Sequence, residues 1–359
     1  MSFSILGLGT ANPACVVTRE ESLACARVMG GPPLAEATWV DGIYANSGVA
    51  TRHQVHGRRA VDDLVNGTCV SGSPFVPAGE SWTVPSTATR MRMYAEHAGP
   101  MAVEAARKAV EESGVSPGEF THLVTVSCTG FAAPGVELAL IRELGLRPTV
   151  LRTNVGFMGC HAAINGLRVA AAFAADPTAT VLMVAVELCS LHYYFGDAPD
   201  KVIANALFAD GAAAVVGRGG KSAWSLAATG SCLLPNCADA MGWTVGDFGF
   251  EMSLSRHIPR LIGKHLRPWV DAWLADNGLT VAAVGSWAIH PGGPRILSAA
   301  EEALGVTASV SREVFSEFGN MSSPTVLFIL DRLRTMGAPR PCVMLGFGPG
   351  LVAEAALVM

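Results

Sequence analysis

Between His122 and Glu187 the chain reads HLVTVSC (122–128), VELALIREL (136–144), TVLR (149–152), HAAINGLRVAAAFA (161–174) and TVLMVAVE (180–187). Three of these segments are short apolar runs rich in β-branched residues, the pattern of buried strands. The two between them carry apolar residues at helical spacing. Strand, helix, strand, helix, strand with short connections implies an α/β fold on a mostly parallel sheet covered on both faces.

Outward from this core, Phe3–Leu8 reads as a further strand, and Glu20–Met29 and Ala35–Tyr44 as helices. Gly57–Pro85 lacks a helical period and reads as a surface excursion. Ala88–Glu112 is helical with a break expected at Gly99-Pro100. After Gly217 a similar grammar returns. Helices are expected at Pro259–Ala275, Arg295–Leu304 and Ser323–Met336, and strands at Val284–Ile289, Cys342–Leu345 and Val352–Val358. This divides the chain near residue 218, into 1–218 and 219–359.

Half of the 359 residues are hydrophobic, 15 % are charged, and the net charge is −5. That balance excludes disorder, and with no basic excess it argues against nucleic-acid binding. So little charge also coats a monomer poorly, which points to a homo-oligomer. Nine cysteines with no regular spacing and no CxxC pair point to free thiols in a reducing, cytoplasmic compartment. Cys232 and Cys237 have no matching His pair, so no metal is expected. There is no charged leader. The apolar stretches Leu167–Ala175 and Val181–Val186 are split by Asp176-Pro177, short of the ~20 residues of a membrane span.

Three places concentrate chemistry. In NVGFMGCH (154–161) a strand ends, Gly156 and Gly159 allow a tight approach, and a helix starts just after Cys160. A thiol at a helix N-terminus feels the positive end of the macrodipole, which favours a nucleophilic thiolate; a buried structural cysteine is the plain alternative. In WAIHPGGP (287–294) a strand delivers His290 to a rigid Pro/Gly turn, at the sheet end where α/β folds bind ligands. In GNMSSP (319–324) Asn320 precedes an apolar helix, where it could equally serve as a cap. Taken together, a thiol, an imidazole and a carboxamide at element ends form a candidate catalytic set. The Gly-rich segments GLGTAN (7–12) and GFGPG (346–350) do not make a dinucleotide fingerprint, because Asn12 replaces the third Gly and Pro349 removes an amide.

GTANP (9–13), GFMGCHAAINGLRVA (156–170), ALFADGAAAVV (206–216), IHPGGPRIL (289–297), GNMSSPTVLFIL (319–330) and GFGPGL (346–351) occur in this order over nearly the whole chain. As a set they resemble the type III polyketide synthases, the chalcone-synthase-like enzymes, with Gly57–Pro85 closer to bacterial members than to plant ones. The resemblance implies a thiolase-like fold of two pseudo-repeated halves, with mixed five-stranded sheets layered between helices. It also implies a homodimer using acyl-CoA starters and malonyl-CoA directly, with no cofactor and no acyl carrier protein. Cys160 would carry the starter as a thioester, with His290 pairing to the thiolate. His290 and Asn320 would both donate to the malonyl thioester carbonyl during decarboxylation.

The same resemblance places Phe208 and Met252 as gatekeepers, Met252 standing where a Phe is usual. Cys128 and His192 fall at cavity positions usually held by Thr, and Ser322 matches the family. These departures imply an aliphatic or small acyl starter rather than a plant-type aromatic one. Arg52, Arg58 and Arg59, with Gly292, Gly293 and Arg295, are candidates for the coenzyme A tunnel. The nearest rival is a ketoacyl synthase III-type condensing enzyme, which shares the Cys–His–Asn set but uses carrier protein. A papain-like hydrolase fits the spacing of Cys160 and His290 but not the sheet pattern, and a non-catalytic scaffold would have no need of the three residues.

Overall fold

The computed structural model describes residues 2–359. Its strands are β1 (Phe3–Ala11), β2 (Cys15–Thr18), β3 (Thr51–Gln54), β4 (His122–Ser127), β5 (Leu151–Gly156), β6 (Thr180–Leu188), β7 (Asp210–Gly219), β8 (Ser225–Leu233), β9 (Met241–Gly246), β10 (Gly249–Leu254), β11 (Ser286–Ile289), β12 (Cys342–Gly348) and β13 (Val352–Val358). Nine of them form one sheet in the order β11-β12-β13-β8-β1-β7-β6-β4-β5. β2 and β3 pair separately, as do β9 and β10.

Three features correct the sequence reading. The halves meet in one continuous sheet, joined where β1 pairs β8 over Phe3↔Leu226 and Ser4↔Ser225. The second half contributes four strands rather than five. Where the first half has β5 before the Ala162–Phe173 helix, the second has another helix, Ser309–Phe318, running directly to Asn320. Nor is the large sheet mostly parallel as expected: within it parallel pairing is confined to β4 with β5 and β6 and to β11 with β12, and the other five pairings are antiparallel.

Side chains alternate across each strand, and this sorts the core into layers. On β6, Met183 and Ala185 face a central layer with the helices Ala162–Phe173 and Thr325–Thr335. Leu182, Val184 and Val186 face the outer helix Thr87–Ser113. In the second half Val343, Leu345 and Leu357 face the outer helices Ile258–Asp276 and Pro294–Leu304. Both faces of β6 are therefore buried along its whole length, and apolar from Val181 to Val186.

The Thr87–Ser113 helix continues through Pro100 instead of breaking. Its packing on β1 explains GLG: a Cβ on Gly7 or Gly9 would meet the carbonyl oxygens of Ala109 and Ala105 at 2.1 and 2.3 Å. The glycines admit a helix backbone, not a phosphate. Within the expected excursion, Arg58–Asn66 is a helix that buries Ala60, Val61 and Leu64, and irregular chain follows it to Ser86. No helix among the described residues is long and apolar enough to cross a membrane.

Candidate active site

Cys160 sits in the single turn Gly159–His161 that leads from β5 into the Ala162–Phe173 helix. The turn is forced by local geometry. Phe157 has φ +58°, Gly159 has φ +80°, and a Cβ on Gly159 would come within 2.2 Å of Pro349. Only glycine fits both demands. Pro349 belongs to GFGPG, so the Gly-rich segment at the end of β12 braces the Cys160 loop.

His290 follows β11, and its N–H donates to the Leu345 carbonyl at 2.8 Å. The next residue of β12, Gly346, lies directly beneath His161, where a Cβ would approach that of His161 to 2.9 Å. The end of β12 thus brings the His290 loop and the Cys160 turn together. Asn320 is held by its N–H on Leu207 O (2.8 Å) and its carbonyl on Ala209 N (2.9 Å). Its Oδ1 accepts from the Ser322 N–H at 2.8 Å, which turns the amide so that Nδ2 is free to donate. Both residues are fully buried, yet Asn320 Nδ2 and both ring nitrogens of His290 have no hydrogen-bond partner. Buried polar groups are normally satisfied, so these three unpartnered nitrogens on two buried residues are free to hydrogen-bond a substrate oxygen.

Burial pushes the Cys160 thiol up to about 11, and the polar side chains of nearby Ser322 and Asn320 pull it back. Burial, with some help from His161, pushes His290 down to about 3. Neither group is charged on its own at neutral pH.

The cavity candidates sort cleanly. Cys128, Phe208, Met252 and Ser322 all line the small space at Cys160. Cys128 Sγ also accepts from Gly159 N at 2.9 Å, one residue before the nucleophile. His192 lies in a neighbouring chamber with both ring nitrogens engaged, by Thr129 O (2.6 Å) and Phe250 N (2.9 Å), and is a wall rather than a reactive group.

The tunnel candidates divide. Gly292, Gly293 and Arg295 line a cleft of about 1110 Å³, together with Arg256 and Arg260 and the acidic Asp200 and Glu302. Arg52 does not belong there. It is buried, with its guanidinium on the carbonyls of Asn205 (2.7 Å), Ala206 (2.6 Å) and Phe208 (3.1 Å), capping the end of the Pro199–Leu207 helix. Arg58 is also misplaced by the sequence reading: it pairs with Glu21 and Asp62 on the surface, away from the cleft. Arg59 is exposed on the same short helix and lines neither site.

Sequence reasoning passed over Glu187. This buried carboxylate ends β6 and accepts from the N–H groups of Cys128 (2.9 Å) and Thr129 (3.0 Å), the Thr129 hydroxyl (2.7 Å) and the Ser323 hydroxyl (2.6 Å). An acidic residue closing an otherwise apolar strand was the available signal. Trp243, on β9, also went unread, since nothing local marks a hairpin residue as a cavity wall.

Residues 76–220 match the family described as chalcone and stilbene synthases, N-terminal domain, and residues 225–359 the C-terminal domain of the same family. Among curated relatives, the alpha-pyrone synthesis polyketide synthase-like Pks18 of Mycobacterium tuberculosis is 33 % identical over 98 % of this chain and 90 % of its own. The 1,3,6,8-tetrahydroxynaphthalene synthase of Streptomyces peucetius is 36 % identical over 72 % of each. The crystal structure of PKS-I from the brown alga Ectocarpus siliculosus superposes with a TM-score of 0.91 at 33 % identity, covering 99 % of this chain and 97 % of that one.

Proposed function

The chain belongs to the chalcone and stilbene synthase family and is a type III polyketide synthase, and on that premise we propose that Cys160, His290 and Asn320 are its catalytic residues. The observation that supports this assignment is the trio of unpartnered nitrogens on fully buried His290 and Asn320, with the Asn320 side chain close to the buried Cys160 thiol.

Cys160 sulfur attacks the carbonyl of an acyl-CoA starter. The carbon–sulfur bond to coenzyme A breaks, coenzyme A leaves as the thiol, and the acyl group remains on Cys160. Malonyl-CoA then places its thioester oxygen between His290 and Asn320 Nδ2. Loss of CO2 leaves the electron pair of the broken carbon–carbon bond as an enolate, whose charge those two donors receive. The buried site excludes water, so fixed donors act there at low dielectric. The enolate carbon attacks the Cys160 thioester and the thiolate departs, so the extended chain is held by coenzyme A. Return of that chain to Cys160 repeats the cycle before cyclisation and release.

Arg256, Arg260 and Arg295, with the open backbone of Gly292 and Gly293, offer the cleft a place for the coenzyme A phosphates. Direct use of coenzyme A thioesters requires no carrier protein and no further cofactor. Met252 at the gate and the confined space at Cys160 favour an aliphatic or small acyl starter. Edge strand β5 and its surroundings expose Leu151 (61 %), Phe131 (56 %), Phe157 and Met158, an apolar face suited to a second copy in a homodimer. All nine cysteines are free, which suits a reducing cytoplasm.

The test is intact-protein mass spectrometry after acyl-CoA exposure, with product analysis on malonyl-CoA. The expected result is one acyl adduct lost in Cys160→Ala. Asn320→Asp should reduce malonyl decarboxylation by about 10²–10³, the cost of one donor to a developing oxyanion. An adduct that survives Cys160→Ala overturns the assignment.

A further inference from the structure

The residue after Cys160 is an imidazole where an apolar side chain would pack at lower cost. His161 leads into the Ala162–Phe173 helix within the central layer, among Ala162, Ala163, Ile164 and Leu167. It is 2 % exposed, and Asn165 and Glu354 are buried with it. Polar side chains in an apolar layer are costly unless they are bonded to one another.

These three are bonded in a chain. The Glu354 carboxylate on β13 accepts from Asn165 Nδ2 at 3.1 Å, from the Ser231 hydroxyl on β8 at 2.7 Å, and from the Arg168 guanidinium. A carboxylate only accepts, so the Asn165 amide turns its nitrogen to Glu354 and its oxygen to His161. Asn165 Oδ1 lies 2.7 Å from His161 Nδ1, which therefore carries the proton and donates it. The chain selects one tautomer of the neutral imidazole.

The other edge of the ring is clamped by β12. A Cβ on Gly348 would stand 2.5 Å from His161 Cδ2 and 2.7 Å from Nε2, and one on Gly346 would stand 2.9 Å from the His161 Cβ. Leu345, one residue earlier, accepts the His290 N–H. His161 thus ties the Cys160 turn to the strand that places His290 and, through Asn165, to β13 of the second half.

We propose that His161 is a positioning residue for Cys160 and His290, locked by Asn165 and Glu354 against Gly346 and Gly348, and that it serves only while uncharged. The proposal rests on Cys160 being the nucleophile and His290 its proton acceptor. It adds the residue that holds them in register and the form that residue must take.

The titratable or charged groups around His161 are Cys160 next to it in the chain, Arg168 on the helix, Glu354 on β13 and His290 after β11. Burial lowers its proton affinity, while the Asn165 bond and the Glu354 charge raise it. A proton on His161 places a cation within reach of buried His290 and disfavours a second one there. His290 then no longer takes the Cys160 proton.

The test is the pH profile of Cys160 acetylation by acetyl-CoA on the full-length protein, read by intact-protein mass spectrometry between pH 4.5 and 8. Glu354→Gln keeps the shape of the chain and removes its charge, so His161 takes up its proton at lower pH. The acid limb of the profile should move down by about 0.5–1 pH unit. His161→Phe removes the titration altogether, and the limb should retreat further, until His290 itself is protonated. It also breaks the clamp, and acetylation on the plateau should fall about tenfold. Should His161→Phe fail to fold, Glu354→Gln decides alone. A limb that either folded variant leaves in place overturns the proposal, because a merely structural role changes the height of the profile and not its position. Absence of any Cys160 adduct in the unaltered protein overturns the catalytic assignment and this inference with it.

Discussion

The Ser323 hydroxyl donates to Glu187 Oε1 at 2.6 Å, tying the loop that presents Asn320 to the end of β6 in the other half of the molecule. Through this one bond the carboxylate that organises the Cys128–Thr129 turn also holds the second-half donor in place. Removing either partner should loosen Asn320 more than Cys160, which Glu187 reaches only through its charge and the Cys128 turn. Ser323→Ala is expected to cost about 1–2 kcal/mol for the unmade bond to a buried charge. Glu187→Gln should cost more, because its amide would point donors at donors. Malonyl decarboxylation should fall further than Cys160 acylation in both. Calorimetry with the two separate assays checks this, and equal loss in the two assays would count against it.

His290 and Cys160 are each driven towards neutrality by burial, the imidazole to about 3 and the thiol up to about 11. On the proposed pairing of the two residues, a reactive thiolate at pH 7 depends on the imidazole. In His290→Ala, iodoacetamide alkylation of Cys160 at pH 7 should slow at least tenfold, which is about 1.4 kcal/mol of lost pairing. The residual rate should climb steadily as pH rises above 8. An unchanged rate at pH 7 would mean that Ser322 and Asn320 suffice.

Arg52 and Arg260 should separate cleanly. Arg52 makes three bonds to carbonyls at a buried helix end, so Arg52→Ala is expected to destabilise the fold by about 2–4 kcal/mol. Arg260→Ala should leave the melting temperature within about a degree, as surface substitutions usually do, and raise KM for malonyl-CoA. Thermal melts and steady-state kinetics decide the matter. A stable Arg52→Ala with a raised KM would return Arg52 to the tunnel.

Acid should destabilise the protein below pH 6.5. Burial holds His56, His192 and His290 down to about 4, 3 and 3, so in this range they are protonated only when unfolded, and stability falls as pH drops. Glu187 and Asp210 are pushed up to about 6 and act in the opposite sense, since the folded state takes up their protons first. Three against two, with His161 lowered by burial in the same sense as the three, leaves at least one extra proton in the unfolded state near pH 5, a loss of about 1.4 kcal/mol per pH unit for each such proton. Urea unfolding at pH 7, 6 and 5 measures the slope; greater stability at pH 5 than at pH 6 would reverse the assignment.

Much of this was legible in one dimension. The runs HLVTVSC and TVLMVAVE announced buried strands because both faces of β4 and β6 are covered, and alternation adds nothing where no face meets water. Cys160, His290 and Asn320 could be singled out because each lies at an element end marked by Gly or Pro, and their ordered blocks pointed to the family. Arg52 and Arg58 show the limit of such reading. A charged side chain looks the same in the sequence whether it caps a helix, pairs on the surface or faces a substrate. Pro100 shows it again, since tertiary packing kept a helix that local propensity would break.

The sequence by itself therefore determined the α/β scaffold, the three candidate reacting groups and the class of chemistry, because periodicity and turn residues are local properties carried by neighbours in the chain. Only the tertiary structure decided which arginines reach the cleft, that Glu187 and Ser323 lock the two halves together, and that Asn165 and Glu354 hold His161 against β12. Those relations join residues separated by up to more than a hundred positions. They come into being only when the halves share one sheet and fold their loops over its end.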